Sequence, residues 1–78
     1  MTTSYAIERY RKGEDRPEEE RDVTAVGSRS LADLFDCPLE QFVNVYAVEP
    51  GHAAVLAALT GLTFNLDRYD YFLSVTAD

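Results

Sequence analysis

FVNVYAVEPGHAAVLAALTG, residues 42–61, sets a strand signal directly against a helix signal, and the fold class turns on that junction. Phe42 to Val48 is β-branched and aromatic with two-residue alternation, the pattern of a half-buried strand. The segment after it has the punctuation of a helix. Glu49 falls at the N-cap, Pro50 at the first helical position, and Gly61 is placed to stop the helix in a left-handed conformation. Val55, Leu56 and Leu59 form its expected buried stripe.

Working outward, Ser30 is the expected N-cap of a shorter helix with Leu31, Leu34 and Phe35 at i, i+3 and i+4, Asp33 in its first turn and Pro38 ending it. Further upstream, Tyr5 to Tyr10 alternates loosely, with Tyr5 and Ile7 on one side and Glu8 and Tyr10 on the other. KGEDRPEEE, residues 12–20, combines Gly13, Pro17 and dense charge, so it is expected to be a hairpin loop leading to a second strand at Arg21 to Val26. Downstream, Leu62, Phe64 and Leu66 alternate with polar residues as a short strand or extended segment, and Tyr71 to Thr76 supplies the last strand.

The order strand, strand, helix, strand, helix, strand, strand is too short for parallel crossovers between every pair. It predicts an α+β fold: an antiparallel sheet of four to five strands with one or two short helices packed on one face. Seventy-eight residues, without repeat, low-complexity tract or linker, make one domain spanning 1–78. A chain of this length buries only about 60% of its unfolded surface.

Alternation also divides the sheet into faces. Tyr5, Ile7, Val45, Leu73 and Val75 are expected to point to the helices. Glu8, Tyr10, Asn44, Tyr46, Phe72, Ser74 and Thr76 are left on the other side, where aromatics mixed with polar groups offer contact area at little entropic cost. A register slip of one residue in Val43 to Val48 would exchange the faces there.

Charge narrows the partners. Fourteen acidic and seven basic side chains give a net charge of −7, which repels phosphate backbones and argues against nucleic acid. Residues 1–22 carry seven acidic and five basic groups, and residues 23–78 carry seven and two, so the acidity is least neutralised in the second stretch. Such a field steers basic partners, and it also keeps a protein soluble.

Catalytic signals are thin. His52 is the single histidine and Cys37 the single cysteine, with no motif pairing them into a nucleophile and base. Asp67 and Asp70 lie three apart in NLDRYDYF, residues 65–72, without a third ligand or the glycine of a calcium loop. No glycine-rich phosphate loop is present, so neither metal nor cofactor is expected and the chain reads as a non-enzyme. No run approaches the roughly 18 apolar residues of a membrane span, no signal peptide is evident, and a cytoplasmic location is the expectation.

From VYAV through the helix to NLDRYDYFLSV, the pattern is Tyr46 and Val48 in an aromatic-x-Val strand, Leu56 in the helix, then Leu66, an acidic Asp70, Tyr71, Phe72 and Ser74. This pattern, over roughly residues 44–76, resembles the cloacin immunity family, small acidic proteins that neutralise ribonuclease-type colicins. Upstream the similarity is one of layout: an N-terminal hairpin, then SLADLFDCP where the family has a short helix. The resemblance implies inhibition by binding to a cognate toxin, a basic nuclease-type domain, with no chemistry performed. It implies that Asp67, Asp70 and Phe72 face the toxin while Tyr71 and Leu73 hold the core. The alternative is a generic interaction module or homodimer formed through the same face or an edge strand.

Overall fold

The computed structural model describes residues 3–77. Its elements are β1 (Thr3–Arg11), β2 (Glu19–Asp22), α1 (Ser28–Leu34), β3 (Tyr46–Ala47), α2 (Pro50–Thr60) and β4 (Tyr69–Ala77), with 3-10 turns at Thr24–Val26 and Leu39–Gln41. One antiparallel sheet runs β2-β1-β4-β3, and β1 and β4 pair along their whole length, from Thr3 opposite Ala77 to Arg11 opposite Tyr69. The fold is α+β, as the order of elements predicts.

Alternation in the two long strands sends Tyr5 and Ile7 of β1, and Tyr71 and Leu73 of β4, into one buried cluster with Leu31 and Ala32 of α1 and Ala53 and Leu56 of α2. The helices therefore cover one face. At about 25 cal/mol per Å² of apolar surface removed from water, this shared face is what drives the fold.

Local chemistry sets most boundaries. Glu49 caps α2, its N–H donating to His52 Nδ1 at 3.1 Å, Pro50 opens the helix and Gly61 closes it at φ +76°. The α1 terminus closes before Pro38 is reached: Asp36 takes φ +53°, its N–H donates to the Asp33 carbonyl, and Cys37 N–H reaches back to Ala32. That pair of bonds is the Schellman arrangement, here with aspartate in the place glycine usually takes. α1 also begins earlier than Ser30, with Gly27 as its N-cap residue.

Three further expectations are corrected. The second strand occupies Glu19–Asp22 rather than Arg21–Val26, because the Asp22 carboxylate accepts the Thr24 N–H at 2.9 Å and turns the chain, while Thr24 Oγ1 takes the Tyr5 N–H at 3.0 Å. In α2 the buried residues are Ala53 and Leu56, whereas Val55 and Leu59 are exposed. This helix is apolar nearly all round, so its periodicity could not select a face.

The third correction concerns residues 42–48, which form only the two-residue β3. Phe42 leaves the sheet plane for the core, stacking on Tyr5 at 5.7 Å and Tyr46 at 4.9 Å between ring centroids. The Tyr46 hydroxyl donates to the Gln41 carbonyl at 3.3 Å and accepts the Asn44 N–H at 3.4 Å. These bonds take the place of ladder bonds that a longer strand would make.

Candidate functional site

The sheet face away from the helices is built from alternate residues of all four strands. Register places Glu20, Glu8, Phe72 and Ala47 in one row across β2, β1, β4 and β3, with Asp22, Ala6 and Ser74 in the next and Tyr10 opposite Asp70 at the other end. Tyr10 and Phe72 meet edge to face, with centroids 5.3 Å apart and planes at 86°. Beside them is an open hollow of about 330 Å³ lined by Tyr10, Glu14, Val45, Asp70 and Phe72. The Ser74 hydroxyl lies 3.5 Å from the Ala6 carbonyl.

Glu8, Tyr10, Asp70, Phe72 and Ser74 are thus brought together as expected for one surface. Tyr46 is not: it stands opposite Leu73 and packs on the helix side against Phe35 and Phe42, while Val45, expected to face the helices, is 60% exposed. The register of β3 is the one-residue slip that exchanges faces. Asn44 is exposed outside any strand, and Asp67 is exposed in the turn before β4. Glu20 joins the face although the charge of residues 12–20 makes that stretch resemble a loop tip. Its signal was the two-residue period shared with Asp22.

Electrostatics divide this face from the rest of the hairpin. Glu8 and Glu20 stand directly opposite each other, a like-charge pair that costs stability in an antiparallel sheet. Burial, and then the Glu20 charge, raise the Glu8 carboxyl above its ordinary value. Four of the hairpin cations, Arg9, Arg11, Lys12 and Arg21, are engaged in pairs. Arg9 Nη2 lies 3.2 Å from Glu19 and its Nε 3.2 Å from Glu18, off the hydrogen-bond direction, and its guanidinium sits 4.5 Å over the Tyr69 ring. Arg11 pairs with Glu18 at 3.0 Å, Arg21 with Glu19 at 2.9 Å and Lys12 with Asp70 at 2.8 Å. Of these, Lys12 alone neutralises a carboxylate of the open face, and among the described residues no cation pairs with Glu8 or Glu20.

His52 and Cys37 have structural surroundings. His52 accepts the cap bond of α2 and its ring lies 4.3 Å from that of Phe35, and Cys37 Sγ is 3.7 Å from the Tyr46 hydroxyl. Among the described residues no three His, Cys, Asp or Glu side chains gather as a metal site, and no helix is long and apolar enough to cross a membrane.

The profile of DUF7683, a domain of unknown function, matches residues 4–74, which takes in β2, β3, both helices and most of β1 and β4. The chain belongs to the DUF7683 family. No curated protein and no solved structure matches it. In this DUF7683 chain the matched span includes Glu8, Tyr10, Glu20, Asp70 and Phe72, so these residues of the open face lie inside the family domain.

Proposed function

We propose that this DUF7683 chain is an immunity protein, acting in the cytoplasm, that binds and neutralises a cognate basic toxin domain of the nuclease type and performs no chemistry itself. The observation that carries the reading is the uncovered sheet face on which the Tyr10 and Phe72 rings adjoin Glu8 and Glu20, two carboxylates that no cation pairs with among the described residues. A positive partner surface relieves that like-charge contact, while the aromatic pair supplies the desolvated anchor. The similarity of Asp70, Phe72 and Ser74 to the cloacin immunity pattern supports the same face.

The test co-expresses the chain with the product of its neighbouring reading frame and follows growth rescue and capture at low and high salt. Rescue is expected, with capture that weakens as salt rises. Phe72→Ala and Glu8→Lys, each verified as folded by circular dichroism, are expected to cost about 2 kcal/mol or more of binding, the hot-spot class. Undiminished neutralisation by both folded variants would rule out this face.

A further inference from the structure

The sheet leaves backbone groups without partners along the end of β4. Val48 N–H donates to the Tyr71 carbonyl at 2.9 Å, and Tyr46 stands opposite Leu73. The β1 register of β4 is unbroken, so every second residue after Tyr71 turns its N–H and C=O the same way. For Val75 and Ala77 that direction has no partner: among the described residues no backbone bond reaches them from the β3 side. Asn44 and Phe42 would occupy those places if β3 continued in register, but Phe42 has gone into the core.

Beside this bare edge runs a groove of about 350 Å³ whose lining includes Leu39, Phe42, Val43, Val75 and Ala77. Val43 is 66% exposed, and Leu39 is exposed as well. Ser74 to Ala77 has no charge and no proline, two of the features that protect sheet edges from pairing. The unused hydrogen-bonding groups define the occupant as an extended backbone.

We infer that the occupant is β4 of a second copy of this chain, antiparallel about a two-fold axis at Thr76. That axis sets Val75 opposite the second copy's Ala77 and Ala77 opposite its Val75. Each pair exchanges two bonds, so every outward backbone group of these two residues is satisfied on both copies. Self-complementarity is what favours a second copy over another strand. Because the contact is uncharged from Phe72 to Ala77, two chains of net charge −7 meet there without carboxylates opposed. The Val75 and Ala77 side chains of the second copy share the helix side of the sheet and adjoin the groove. A contact this short belongs to the transient class, below about 1,200 Å² of total buried surface.

Sedimentation of the full chain over a wide concentration range, with amide exchange followed by NMR, tests the inference. Association is expected at high concentration and should strengthen with salt, because screening relieves repulsion between like-charged copies. That dependence is opposite to the one expected for a basic partner. Val75 and Ala77 amides should gain protection with concentration, whereas Ser74 and Thr76, bonded toward β1, are protected throughout. Ala77→Pro removes an outward donor at an exposed position and should abolish association without lowering the melting temperature. Val43→Lys, at the groove wall, should weaken it. A chain that stays monomeric overturns the inference. So does a dimer that leaves the Val75 amide unprotected and ignores both substitutions, as pairing through the exposed Val55 and Leu59 of α2 would.

Discussion

The two edges of this sheet are guarded in opposite ways. β2 reads Glu19-Glu20-Arg21-Asp22, every residue charged, and it stops at Asp22 because that carboxylate turns the chain. At the other edge β3 covers only Tyr71 to Leu73 of β4, and the stretch of β4 beyond it, Ser74 to Ala77, carries no charge. The difference separates two means of keeping a sheet finite. Charge makes any added strand costly along β2, whereas β4 depends on what its neighbour covers.

The largest expected effect locates stability between these edges. Leu73 is fully buried on β4, and Leu73→Ala should cost about 2–5 kcal/mol, the range for emptying a core site. Glu20→Ala on β2 should stay within about 0.5 kcal/mol of the parent, since it removes exposed surface and a like-charge neighbour. Urea unfolding measures both. A Glu20→Ala loss as large as that of Leu73→Ala would mean that the charged edge is structural rather than protective.

The same contrast marks what could be read from the residues. Glu49, Pro50 and Gly61 announced α2 because capping is local, and β1 and β4 were visible because their alternation matches one buried face. β3 was not. FVNVYAV is a sound strand sequence, but Phe42 gains more by stacking between Tyr5 and Tyr46 than a ladder bond offers, and that stack exists only once the fold is assembled. With β3 cut to two residues, Tyr46 fell on the helix side and Val45 on the open one. The start of β2 was hidden for a different reason. Glu18 to Glu20 look like a solvated tip in isolation, yet Glu18 and Glu19 lie against Arg9 and Arg11 across the hairpin. Five of the eight candidate residues, Glu8, Tyr10, Asp70, Phe72 and Ser74, share one face because they rest on the two long strands.

A smaller effect tests how the guarded edge ends. Asp22→Ala removes the acceptor of the Thr24 N–H and should cost about 1 kcal/mol, an ordinary value for one exposed hydrogen bond. Amide exchange should show faster opening at Thr24, which loses its acceptor, and at Tyr5, whose N–H donates to the Thr24 hydroxyl that Asp22 also holds, and no change at Val75. Coupled loosening of Val75 would mean that the two edges do not behave independently.

The smallest effect concerns Glu8, whose carboxyl is raised above its ordinary value of 4.5 by burial and then by Glu20. The folded chain therefore holds this proton more tightly than the unfolded one, and stability falls as pH rises through the window between the two values. At neutral pH the ionised Glu8 is a penalty, so Glu8→Gln should raise the melting temperature there. Below that window Glu8 is protonated in both states and the gain should vanish. A gain independent of pH would assign it to packing rather than charge. The same carboxylate, if it meets a cation of a toxin, is returned toward its ordinary value on binding, so within that window association should release protons and weaken as the pH falls. Glu8→Gln would then stabilise the free protein while weakening the complex. That opposition is expected of a group kept for recognition, and a purely structural glutamate beside Glu20 would show the first effect without the second.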